Sequence, residues 1–225
     1  MTVLERLDLE SARNYAYRVL RHNIIELKLE PGSTVSEQSL CQLLAISRTP
    51  VREALLDLNR QHLVDVVPQR GTMVSLIDPR LVEEGQQLRT LVEREVVKAA
   101  CRTMDDKAFR HLESNVIMQE YHAAHADYDE FIRLDNEFHR MLFKIVGKEA
   151  TYQVVHDFQS HFDRERKLSL MHASIPALVQ DHRAVLESIR KGDAEEAARL
   201  VELHLAHVLV DQQLLMEKFP DYFVR

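Results

Sequence analysis

The stretch LDNEFHRML places Asp135 and His139 four residues apart. On a helix both side chains project from one face, beside Phe131, Phe138 and Leu142. A carboxylate and an imidazole so placed can bind one metal ion. His182 sits among Leu178, Val185 and Leu186, and His204 among Leu200, Leu203 and Val208, in later stretches of helical periodicity. Converging from three helices, Asp135, His139, His182 and His204 would make a His3Asp site suited to zinc first, and to nickel or manganese. The chain has 12 histidines. A lone helical histidine is more often hydrogen-bonded or on the surface, so the pattern alone leaves that reading open. His207, one turn beyond His204, competes for the same role.

A second constellation lies in ISRTPVREALLDLNRQHLV, where Arg48 and Arg52 stand four apart at the front of an apolar-periodic segment. Guanidinium groups at a helix N-terminus can bond guanine edges or phosphates. They can equally solvate a helix surface by pairing with Glu53 or Asp57. Arg89 and Glu93 form another i, i+4 pair, which reads either as a carboxylate-binding arginine with its neighbour or as a surface ion pair.

These groups need elements to hold them. The chain has 225 residues, 45% hydrophobic and 29% charged, enough to bury a core in one large or two small domains. No run approaches the roughly 18 apolar residues of a spanning helix, and the first residues, MTVLERLDLE, are charged where a signal peptide is apolar. A cytoplasmic protein without a membrane partner is expected. Cys41 and Cys101 are far apart and outside any CxxC pair, so both read as reduced structural thiols. Net charge is -7, but residues 1–78 hold 9 basic against 10 acidic side chains, and the remainder 20 against 26. The acidic excess lies behind residue 78, which leaves room for a nucleic-acid surface in front of it.

Leu20, Ile24 and Leu27 mark a first helix that exits at Pro31-Gly32, and Val35 to Leu44 reads as a second. Ser47 is a candidate N-cap for a third, in which Pro50 is tolerated in the first turn and Val51, Leu55 and Leu58 face a core. Leu63–Val67 and Thr72–Leu76 read as strands about a Pro68–Gly71 turn. Three helices and a hairpin describe a winged helix-turn-helix, whose third helix enters the DNA major groove. Asp78-Pro79 breaks the chain, giving a DNA-binding domain over 1–78 and a second domain over 79–225. The latter is helical almost throughout, in stretches starting at residues 81, 105, 128, 149, 175 and 194, as expected of an antiparallel all-α bundle.

The stretch SEQSLCQLLAISRTPVREALLDLNRQHLVDVVPQRGTMVSLI resembles the DNA-binding domain of the GntR family of bacterial transcription regulators, in its FadR-type branch. The resemblance implies that the positions of Arg48, Arg52 and Gly71 contact operator DNA, with Thr49 and Arg70 nearby. The family usually has Arg where Gln38 stands, implying a neutral contact there. It often has Gly where Leu27 and Ala45 stand, so local backbone perturbation is expected at both. The helical region resembles the FCD ligand-binding domain, whose metal-binding members carry Asp-x-x-x-His, a later His and a last-helix His. Asp135, His139, His182 and His204 match that order, and Arg89 matches an arginine that faces the pocket.

What the resemblance implies is a mostly α protein: a homodimer on palindromic double-stranded operator DNA, more a repressor than an activator. A small carboxylate effector would take the coordination positions left open on a divalent ion, with Arg89 as its second anchor. Arg164 and Arg166 are further candidates, while contacts from the Gly147-Lys148 turn do not carry over, because relatives have Gly-Asn there. No general base stands out beside the quartet, so an enzyme is not expected. The alternatives are a regulator with a metal-free organic-ligand pocket, and a metal-dependent enzyme fused to a DNA-binding module.

Overall fold

A computed structural model describes residues 1–67, 71–170, 175–207 and 212–224. They fall into two compact units. One comprises Met1–Val82, Ser160–Lys167 and Gln212–Arg225, the other Glu83–Gln159 and Leu168–Asp211.

The first unit begins with α1 (Ala12–Ile25), capped by Ser11, whose side chain accepts from the Asn14 amide. A two-residue strand, β1 (Thr34–Val35), precedes α2 (Glu37–Leu44), and α3 (Arg48–Arg60) follows. Strands β2 (Val64–Val67) and β3 (Gly71–Val74) complete an antiparallel sheet ordered β1-β3-β2. The apolar pattern predicts α2 from Val35. Instead Val35 pairs with Thr72 and Thr34 with Met73, and Ser36 caps the helix. Two residues cannot display a strand period, so this pairing has no local signature.

Leu20 and Ile24 of α1 pack with Leu40 of α2, Val51, Leu55 and Leu58 of α3, and Val64 and Val74 of the wing. This fully apolar cluster fixes α3 with its other face outward. Leu27 and Ala45 have φ of +55° and +53°, left-handed values that glycine adopts without strain. Each ends its helix in that conformation despite carrying a side chain.

The other unit opens with α4 (Pro79–Thr103), whose first residues belong to the first unit. It continues with α5 (Asp106–Ala124), α6 (Tyr128–Ile145) and α7 (Glu149–Phe158). After α8 (Ser160–Leu170) come α9 (Ile175–Lys191) and α10 (Ala194–His207), with α11 (Gln212–Lys218) returning to the first unit. Helix α5 packs on α6 and α9, and α9 on α10. Gly192, at φ +72°, ends α9, and Asp193 caps α10 by accepting from the Glu196 amide. The continuous periodicity over 149–170 is interrupted at Gln159, where α7 gives way to α8. Among the described residues, no helix is long and apolar enough to cross a membrane.

Candidate metal centre and nucleic-acid interface

Helix α6 buries Phe131, Ile132, Leu134, Phe138, Leu142 and Phe143, and the same stripe carries Asp135 and His139 inward. His182 comes from the buried face of α9 and His204 from that of α10. All four are buried, and one ligand atom from each lies within 4.8 Å of the others. His204 Nε2 is 3.0 Å from His182 Nε2 and 3.3 Å from His139 Nε2. Asp135 Oδ1 is 3.5 Å from His182 Nε2 and 3.9 Å from His204 Nε2. The Phe138 ring stacks on His182 at 4.3 Å between centroids and walls the group with apolar surface.

The far side of each ring decides what its Nε2 offers. His139 Nδ1 is 2.5 Å from Glu93 Oε2, and a carboxylate only accepts, so Nδ1 carries the hydrogen. His182 Nδ1 is 2.7 Å from Gln119 Oε1, whose orientation is set by the Gln119 Nε2 donation to Asn115 Oδ1. In their neutral forms both rings therefore point an Nε2 lone pair at the same place. Burial holds His139 and His182 below the ordinary imidazole range, although Glu93 opposes this at His139 and Asp135 at His182. Converging lone pairs repel unless a proton, as on His204 Nε2, or a metal cation lies among them. An ion bonded at about 2.1 Å holds two nitrogens about 3.0–3.4 Å apart, for ligand angles from square to tetrahedral. The observed nitrogen separations fit that interval.

Arg89 and Glu93 do pair, but in the interior. Arg89 Nε donates to Glu93 Oε1 at 2.5 Å, with side chains 2% and 3% exposed. Burial alone would raise the Glu93 carboxyl; Arg89 and His139 outweigh it and hold Glu93 at about 2. The spacing marks Glu93 as Arg89's partner but not as His139's, and both its oxygens are engaged. Asp181 was missed in the sequence: its Oδ2 is 3.7 Å from His204 Nδ1 and 2.9 Å from His207 Nδ1. His207 thus lies beside the site without supplying a ligand atom to the quartet. Gln119 and Asp181 are recognisable only once α5 and α9 are packed, since nothing in their spacing marks them.

In the first unit, Gln38, Arg48, Thr49, Arg52 and Gly71 are all exposed, the first four at the α2–α3 corner and Gly71 at the start of β3. Arg48, Thr49 and Arg52 share a shallow groove with Glu37, Glu53 and Leu56. Ser47 makes no side-chain cap, so it leaves the Arg48 and Thr49 amides at the start of α3 for another acceptor such as an anion. Arg52 pairs with Glu37 at 3.5 Å rather than with Glu53 or Asp57, and Asp57 is taken by Arg13 and Arg60. Arg70 lies outside the described residues.

Arg164 is used elsewhere. Fully buried within the first unit, it donates to the carbonyls of Ser75 and Leu76 at 2.6 and 3.2 Å. Arg166, also buried, pairs with Asp163 at 3.2 Å. His161, beside Arg164, accepts from the Asp78 amide through Nδ1 and donates to the His62 carbonyl through Nε2, each at 3.0 Å. Burial, and next the Arg164 charge, push its pKa down to about 3.

A unit whose N-terminal part has three helices and a wing, with arginines at the front of the third helix, joined to a helical unit with a buried polar cluster, defines a DNA-binding transcription regulator. The chain belongs to the GntR family of bacterial regulatory proteins: its family model matches residues 13–74, and that of the FCD domain residues 84–207. An uncharacterized HTH-type transcriptional regulator of Streptomyces ambofaciens is 33% identical over 212 residues, 94% of this chain and 89% of that one. The HTH-type transcriptional repressor RspR of Escherichia coli is 28% identical over 225 residues, covering 99% of each. Among solved structures, McbR/YncC of E. coli has the same fold, with a TM-score of 0.77 over 95% of this chain and 100% of that one, at 18% identity.

Proposed function

We propose that the protein is a cytoplasmic, homodimeric repressor whose grip on a palindromic operator is set by a small carboxylate bound at a divalent ion in the FCD domain. The observation that carries this reading is the buried meeting of Asp135 Oδ1 with three imidazole Nε2 atoms, two of them lone pairs fixed by Glu93 and Gln119. Asp135, His139, His182 and His204 hold the ion, and zinc suits a nitrogen-rich set. The ion supplies positive charge and open positions for a carboxylate, and Arg89 offers the second anchor, exchanging part of its pairing with Glu93 for the ligand.

On the DNA side, Arg48 and Arg52 reach bases or phosphates from the front of α3, Thr49 and Gln38 add neutral contacts, and the wing contributes Gly71 and Arg70. The repressor sense is supported by the name of RspR and by that of NanR of Cronobacter sakazakii, 28% identical over 213 residues, 81% of this chain and 78% of that one. Two winged helices on a two-fold axis double the phosphate contacts and set the half-site spacing.

A thermal-shift screen against small carboxylic acids, with and without a chelator, tests the effector half. A ligand that binds only the folded state raises the melting temperature by mass action. The expected hit disappears on chelation; a hit that survives chelation, with no metal in the purified protein, overturns the metal-anchored reading.

A further inference from the structure

We propose that Glu93 is the positioning residue of the cation site, and that its sharing between His139 and Arg89 sets how tightly the quartet holds a divalent ion. This rests on the metal reading above and deepens it.

The three imidazoles are not backed alike. His182 faces the neutral amide oxygen of Gln119 at 2.7 Å. His204 has Asp181 at the longer distance of 3.7 Å, and Asp181 is partly exposed and engaged by His207. His139 alone among them has a buried carboxylate in hydrogen-bond contact, at 2.5 Å. A cation on Nε2 draws electron density through the ring and makes Nδ1–H a stronger donor. A full negative charge facing that hydrogen stabilises the loaded state more than a neutral acceptor does. Glu93 is not free to give all its charge, because its other oxygen accepts from Arg89 at 2.5 Å. The guanidinium neutralises part of the carboxylate and adds a positive charge near the cation. Glu93 and Arg89 therefore act on ion affinity with opposite signs, although both belong to one buried ion pair.

Opposite signs separate this role from a packing role. Zinc affinity of the full-length protein is measured by competition with a chromogenic chelator, and folding of each variant by circular dichroism. Glu93→Gln keeps an oxygen for His139 but loses the charge, and weakens zinc by about tenfold to a hundredfold. Arg89→Met leaves the whole carboxylate to His139, and binds zinc at least as tightly as the wild type. Two folded variants that weaken zinc equally, or leave it unchanged, overturn the proposal. Removing one partner of a buried ion pair strands the other. If either single variant fails to fold, the neutral double variant Arg89→Met/Glu93→Gln is compared with whichever of the wild type and Arg89→Met folds, and weaker zinc binding is expected. Equal affinity overturns the proposal. A wild-type protein that takes up no zinc overturns the underlying metal reading itself, and is seen before any variant is compared.

Discussion

Arg52 is the residue in which the DNA-binding account can be tested most locally. Its side chain is 74% exposed and touches Glu37 at 3.5 Å, a pair that an exposed, salt-screened setting makes weak and easily exchanged for DNA. Arg52→Ala is expected to weaken binding to a duplex selected from a random pool by about 1–3 kcal/mol, and to weaken random duplex less, as fluorescence anisotropy would read. An equal loss on both would assign the arginine to phosphate. If the quartet holds an ion as proposed, His204→Ala is expected to lower bound metal from about one ion per chain to a small fraction, by elemental analysis of dialysed protein. Asp135, His139, His182 and His204 were legible in the sequence through the resemblance, since their spacing alone left the role open and Leu203, read as part of the stripe around His204, is exposed. The roles of Glu93, Gln119 and Asp181 beside them were not, because what each touches is set by the packing of other helices. Arg164's partners were hidden for the same reason: they are carbonyls at 75 and 76, some ninety positions away.

At the scale of elements, helix ends and the short α8 carry the testable consequences. Ala45 closes α2 at φ +53°, where a Cβ is crowded and glycine is not. Ala45→Gly should raise stability by about 1 kcal/mol in urea unfolding, less what glycine adds to the unfolded chain's freedom. His161 gives α8 a pH signature. Its Nδ1 accepts from the Asp78 amide and faces Arg164, so a proton there would meet two donors. The folded value of about 3 lies below the ordinary 6.5, so the unfolded chain binds the proton more readily. Stability from this group is complete above about pH 6.5 and is lost as pH falls toward 3. Between pH 7.0 and 5.5 the wild type should lose about 1 kcal/mol more than His161→Gln in denaturant titrations. The α7–α8 break was hidden because the helical period runs through Gln159 without a glycine or proline to mark it.

For the whole molecule, the two units are built from interleaved segments of the chain. Residues 160–167 and 212–225 belong to the DNA-binding unit, yet the chain between them runs through α9 and α10, which carry His182 and His204. The linear boundary expected at residue 78 follows the break at Asp78-Pro79, whereas later segments return to the first unit, a long-range feature that local pattern does not encode. Any change in packing around the quartet is thus covalently continuous with segments of the DNA-binding unit at both ends. Useful regulation needs a coupling of only about 1–3 kcal/mol. The most direct test of the account is the affinity of the zinc-loaded protein for its selected duplex, measured with and without the carboxylate found in the thermal-shift screen, and again after chelation. The account predicts that the carboxylate weakens DNA binding by about fivefold or more in the zinc-loaded protein, and has no effect once the metal is removed. An equal effect in both states, or none in the zinc-loaded one, would contradict it.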